Sequence, residues 1–230
     1  MLAFRRLREG AGGSIMGAVA LEARGHIMGM GICRRSVGAA AGLALLAAGS
    51  FTTSALAGAI TDHATSAETF LQQGNPGEAL GAFDQATDAF WVALPLQFRA
   101  ALFASVVKGF GQYEPRADAS FHSGDTAIVY LEPVGYGFTP AGSSFAVAFT
   151  TGIEISTVGG ILLAKADDFG RLEWNGRSRS REVHAAVNVT LPTFKPGDYR
   201  LKLTLTDAAT AKQASVTLPF TIASRGPGGN

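Results

Sequence analysis

The feature that most restricts the fold of this chain is the spacing of its apolar residues, which from residue 98 onward recur at every second position. In residues 126–132, Ala127, Val129 and Leu131 fall on one face and Ile128 and Tyr130 on the other. Val183, Ala185, Val187, Val189 and Leu191 alternate with His184, Asn188 and Thr190. Tyr199, Leu201, Leu203 and Leu205 alternate with Arg200, Lys202 and Thr204, and Val216, Leu218, Phe220 and Ile222 with Ser215, Thr217 and Thr221. Phe145, Val147 and Phe149 mark a further strand, prolonged by Ile153 and Ile155; residues 161–164 form a short apolar one. Residues 100–107 fit helix or strand, and strand is preferred. A period of two sends neighbouring side chains to opposite faces. Seven such strands, parted by Gly, Pro, Asp and Ser clusters, predict a mainly β, antiparallel sandwich.

One corner is more specific. Lys195-Pro196-Gly197-Asp198-Tyr199 precedes the sixth strand. It resembles the corner before the penultimate strand of an immunoglobulin-like or fibronectin type III-like sandwich. There a tyrosine hydroxyl bonds back to the chain, and the resemblance gives Tyr199 that structural part.

The N-terminal third reads differently. Apolar residues make up 47% of the chain, and much of the excess sits in residues 37–57, almost all Ala, Gly, Leu, Ser and Thr. The run 37–48 is shorter than the roughly 20 residues a membrane span needs. Its flanks fit a secretory signal instead: Arg34 and Arg35 before it, Ala55-Leu56-Ala57 after it, with cleavage expected after Ala57. Residues 30–57 are thus the expected signal peptide. Residues 1–29, with Arg5, Arg6, Arg8 and Arg24 and no periodicity, read as an over-extended start (translation beginning at Met28 or Met30) or a long n-region. No transmembrane span is expected after cleavage, and the address is periplasmic or secreted, in a bacterium.

Removing this leader changes the charge. It holds six of the 19 basic and two of the 18 acidic residues, which leaves 13 against 16, a net of −3. That argues against a nucleic-acid partner, whose phosphates select a basic face. The single cysteine, Cys33, also lies in the leader, so no disulfide is expected beyond it.

Residues 58–97 predict a helical hairpin. Thr61 or Asp62 can cap the first helix, and Gly74-Asn75-Pro76 breaks it. Ala79, Leu80, Phe83, Ala86, Phe90 and Trp91 then share the apolar side of a second helix that Pro95 ends. The stretch Gln73-Gly74-Asn75, Glu78-Ala79-Leu80, Phe83 and Ala86 resembles one tetratricopeptide unit. Only one copy is present, whereas an array needs about three. The expectation is a hairpin that packs Phe70, Phe83, Phe90 and Trp91 on the rest of the protein. The sandwich spans 98–223, and the Gly- and Pro-rich residues 224–230 form an expected disordered tail.

The chain from residue 58 also resembles a group of exported bacterial proteins with no assigned activity. The resemblance rests on Ala89-Phe90-Trp91, Gly109-Phe110-Gly111-Gln112-Tyr113, the run Tyr130-Leu131-Glu132-Pro133-Val134-Gly135-Tyr136-Gly137, Pro196-Gly197-Asp198-Tyr199 and Leu218-Pro219-Phe220. It implies the same address and a hairpin-plus-sandwich layout.

Catalytic patterns are weak. His63, His122 and His184 lack metal-ligand spacing, residues 166–170 read as an exposed turn instead of a calcium loop, and Ser143-Ser144 has no glycine elbow. No catalytic residue, cofactor or metal is assigned. Two Gly-aromatic loops make Tyr113, Arg116, Glu132 and Tyr136 a candidate contact patch. The competing reading is that these rings cover the end of the sandwich while the glycines permit tight turns. The first functional expectation is a non-catalytic envelope protein, a structural or macromolecule-binding module. The second is a carbohydrate-binding module using a row of Trp91, Tyr113, Tyr136 and Trp174. An enzyme of unknown type comes third.

Overall fold

The computed structural model describes residues 54–224; the signal segment's Arg34, Arg35 and apolar run, and the tail from Arg225, lie outside the described residues. Two helices precede ten strands. The described chain divides into two compact units, with the boundary between Phe90 and Trp91.

The first unit is a helical hairpin. Helix α1 (Ser54–Gln72) starts seven residues ahead of the expected cap at Thr61, because the good helix formers Ala55, Leu56, Ala57 and Ala59 outweigh the single Gly58 and no proline intervenes. It ends in a Schellman turn: Gly74, at φ 78°, donates to Leu71 O at 3.1 Å, and Asn75 donates to Phe70 O at 2.9 Å. Asn75 then accepts from the Ala79 amide and so caps α2 (Pro76–Ala93), whose first residue is the proline that position favours.

The second unit holds two sheets. One has the order β2-β1-β4-β8, from β1 (Gln97–Gly109), β2 (Gln112–Pro115), β4 (Thr126–Val134) and β8 (Ala185–Thr190). The other runs β3-β10-β9-β6, from β3 (Ser120–Phe121), β10 (Gln213–Ile222), β9 (Gly197–Asp207) and β6 (Ser144–Thr157). Strand β7 (Leu162–Gly176) pairs along β6, and β5 (Thr139–Ala141) pairs with its first residues. Ala146 of β6 faces both Thr139 and Asn175, so β5 and β7 flank β6 on opposite sides. All pairings are antiparallel except β3 with β10.

Each of the seven expected segments contains a strand, though Ile161, Val183 and Leu191 fall just outside β7 and β8, and the inward residues of both sheets share one apolar core. Val129, Leu131, Leu201, Leu203 and Leu205 are fully buried, and Val147, Phe149, Ile155, Val189 and Leu191 nearly so. One expectation fails on β7. The supposed exposed turn at 166–170 is strand; the short apolar segment 161–164 opens β7 from Leu162, with Ile161, Leu162 and Leu163 exposed. The register shows why: Thr151 faces Gly170 while Ile153 faces Ala166, so Asp167, Asp168 and Phe169 form a bulge opposite Gly152. The bulge turns Phe169 into the core and leaves Asp167 outside, within 2.9 Å of Lys165.

Candidate functional site

The four residues of the expected contact patch are not one surface. Tyr136 is 2% exposed and sits in the main core. Its ring meets Trp91 edge-on at 5.1 Å and Phe149 at 5.7 Å, and its hydroxyl donates to Ser180 O at 2.9 Å. Burial pushes its phenol above the usual range. The Trp91 indole donates to Tyr136 O at 2.9 Å. The glycines on either side admit neighbouring backbone and side chains. A Cβ on Gly135, itself at φ 80°, would lie 2.4 Å from Pro95 O, and one on Gly137 would lie 2.7 Å from Thr210 Cγ2. The Tyr136 ring is therefore core, and its flanking glycines permit the close approach and, at Gly135, the positive φ.

Two further side chains hold the same segment. The Lys212 ammonium donates to Val92 O (2.9 Å), Leu94 O (2.6 Å) and Gly135 O (3.1 Å), satisfying carbonyls at and just past the end of α2. Asp207, fully buried, accepts from the Gly137 amide at 2.8 Å, from the Ala209 amide at 3.2 Å and from the Thr210 hydroxyl.

Glu132 is also buried, on the outer face of the four-stranded sheet, where it accepts from the Tyr130 hydroxyl at 2.7 Å. The same hydroxyl accepts from the Gly111 amide at 2.8 Å. Tyr113 stacks on Tyr130 at 4.0 Å and His184 stacks on it at 5.9 Å. Tyr113 and Glu132 thus meet through Tyr130, which the sequence reading left out of the patch. Burial, reinforced by the bond to Glu132, pushes the Tyr130 phenol up; burial lowers the His184 imidazole, against the pull of Glu132. Arg116 lies elsewhere, its guanidinium 4.4 Å over the Phe121 ring and bonded to Ser120 O at 2.8 Å. Tyr199 is buried between Phe194 and Phe220, and its hydroxyl donates to Lys195 O at 2.7 Å.

The expected aromatic row fails for the same reason: Trp91 and Tyr136 are core, and Tyr113 leans on Tyr130. Among the described residues no group of three or more His, Cys, Asp or Glu side chains is placed to hold a metal ion. No described helix is long and apolar enough to cross a membrane.

Exposed large apolar side chains lie at the start of β7, where Ile161, Leu162 and Leu163 are 67%, 53% and 42% exposed, and in a second group on the hairpin. The hairpin's buried residues are small: Ala67 on α1, and Ala79, Ala82 and Ala86 on α2. Leu71, Leu80, Phe83 and Phe90 are 62%, 63%, 59% and 51% exposed, against the expectation that Phe83 and Phe90 would be packed away. The alanine half of the apolar arc faces the other helix, which leaves the bulky half outside. A groove lined by Ala64, Ala67, Glu68, Leu71, Leu80 and Phe83, among others, runs along this face, with a volume of about 460 Å³. Residues 58–97 carry Asp62, Glu68, Glu78, Asp84 and Asp88 and no Lys or Arg. No family model and no curated protein matches the chain.

Proposed function

We propose that this is an exported, non-catalytic bacterial envelope protein that binds another macromolecule through its hairpin, with an immunoglobulin-like sandwich as its body. The observation that carries the reading is the exposed Leu71, Leu80, Phe83 and Phe90 beside an alanine seam. Contiguous apolar surface of this kind marks an interaction site. A groove along two helices suits a third, amphipathic helix. Five carboxylates and no cation in residues 58–97 favour a basic one, and the same charge count sets two copies of the hairpin against each other.

The sandwich assignment draws on strand order. Of the seven long strands, the first, second and fifth (β1, β4, β8) share one sheet, and the seventh, sixth, third and fourth (β10, β9, β6, β7) adjoin in the other. The sixth begins near Tyr199, whose hydroxyl reaches back four residues, in keeping with a tyrosine corner. Export rests on Arg34-Arg35, the apolar run 37–48 and Ala55-Leu56-Ala57.

Two designed helices with one leucine face, and Lys or Glu opposite, test the binding reading. The Leu/Lys helix binds, more weakly as salt rises, and Leu80→Ser with Phe83→Ser removes binding. Equal binding of the Leu/Glu helix, or indifference to the double change, rejects it. Intact mass of the exported protein checks the address, with Gly58 as the expected first residue.

A further inference from the structure

Strands β7 and β8 each pair on one side only, β7 with β6 and β8 with β4. Where their free edges part, a cleft of about 380 Å³ opens between the sheets. That is within the usual range for small-molecule sites, roughly 300–1,000 Å³. Its floor is core: Val147, Phe149, Val183 and Ala185, none more than 5% exposed. Leu172 and Trp174 form the β7 wall, both partly buried and packed on that core. The indole lies across Gly176, where a Cβ would come within 2.1 Å of its Cη2, so only glycine permits this ring position.

Apart from Ala186, the rest of the lining is polar and carries no uncompensated charge. Arg171 donates from Nε to Glu173 Oε1, pairing the two ions of the rim. His184 is held neutral by its burial, so one ring nitrogen donates and the other accepts. Asn175 offers an amide that also does both. An anion would find no net positive charge here. A simple alkyl chain would leave these groups unused and partly desolvated, at a cost.

An apolar wall ending in an indole, with mixed donors and acceptors around it, matches a neutral ring that has C–H bonds on its faces and hydroxyls at its edge. We infer that the β7–β8 cleft binds a pyranose ring of a neutral glycan against Trp174, with Asn175, Glu173 and His184 bonding its hydroxyls. The site is separate from the hairpin face and from the aromatic row the sequence suggested. Three of that row's four members play no part in it.

The chain has two tryptophans, which gives a direct readout. In the ¹⁵N-labelled protein, the Trp91 indole bonded to Tyr136 reports the fold, and the Trp174 indole reports the cleft. Tetrasaccharides of glucose, mannose, galactose and N-acetylglucosamine are titrated in turn. At least one shifts the Trp174 signal saturably and leaves Trp91 in place. Asn175→Ala weakens that response about tenfold. Trp174→Ala, followed by the backbone amides of Asn175 and His184, removes it while the Trp91 signal persists. The inference is overturned if all four sugars leave Trp174 unmoved, if Asn175→Ala binds as tightly as the parent, or if decanoate shifts Trp174 more strongly than any sugar.

Discussion

The hairpin and the sheet unit use their apolar residues in opposite ways. In the sheet unit most large side chains go inside, apart from Val158, Ile161, Leu162 and Leu163 around the β6–β7 turn: Tyr136, Phe121, Phe149 and the leucines of β9 are at most 2% exposed. In the hairpin the buried residues are alanines, Phe70 is half-buried, and Leu71, Leu80, Phe83 and Phe90 face out. Their charges differ as well. Residues 58–97 hold five acidic residues and no Lys or Arg, whereas residues 98–230 hold 13 basic against 11 acidic. Burial of a large side chain contributes about 1.5–3 kcal/mol, and alanine much less. The sheet unit therefore has within itself what it needs to fold. The hairpin's seam is thin, and most helical stability in proteins comes from packing of the apolar face. On the proposed reading the difference separates two roles: most of one unit's apolar surface is spent on its own stability, and the other's is left for a partner.

The sharpest break of that comparison is Tyr136→Ala. The ring contacts Trp91, Phe138 and Phe149, so its loss opens a cavity and costs about 3–5 kcal/mol. Against a typical total of about 5–15 kcal/mol, urea unfolding reads this as a large drop in midpoint. A neutral result would return Tyr136 to the surface and undo its assignment to the core. Next comes Lys212→Met, which keeps the packing of the stem and removes three bonds to carbonyls. Its cost is about 1–3 kcal/mol because those acceptors lose their cation. Hydrogen exchange at the end of α2 should accelerate with it.

The body was more legible than its joints. Leu201, Leu203 and Leu205 announce a core face through strict alternation, and all three are fully buried. Residues 165–176 hide their strand because β7 lies at a sheet edge, where outward Lys165, Arg171 and Glu173 look like loop, and the three-residue bulge at Asp167 breaks the period. The Lys212 contacts join residues 77 to 120 positions apart, a distance no local pattern spans. In the hairpin the helical period was clear, but alanine and phenylalanine count alike as apolar. The visible signal was the spacing of Ala79, Ala82 and Ala86, which marks a seam where helices approach closely.

Tyr199→Phe is a smaller test within the body. It keeps the stacks on Phe194 and Phe220 and loses the bond to Lys195 O, for about 1 kcal/mol. A cost near zero would mean that solvent replaces the bond, and the corner would hold by stacking alone.

Phe83→Ser should have the least effect on stability and the most on recognition. The ring is 59% exposed, and exposed positions away from caps and cores usually move stability by no more than about 0.5 kcal/mol. Serine is also a poorer helix former than most residues, which sets the sign as slightly destabilising. Yet Phe83 lines the hairpin groove with Leu80 and Leu71, so removing its ring takes away the largest apolar contact a docked helix would make. Aromatic anchors commonly carry about 2 kcal/mol or more of an interface, some thirtyfold in affinity. Unfolding and peptide titration on one sample separate the two units' roles. An unchanged urea midpoint with lost Leu/Lys-helix binding keeps the division between a self-sufficient body and a hairpin made for a partner. A midpoint that falls as far as that of Tyr136→Ala would show the ring covered within the chain, and the exposed face would then belong to the fold.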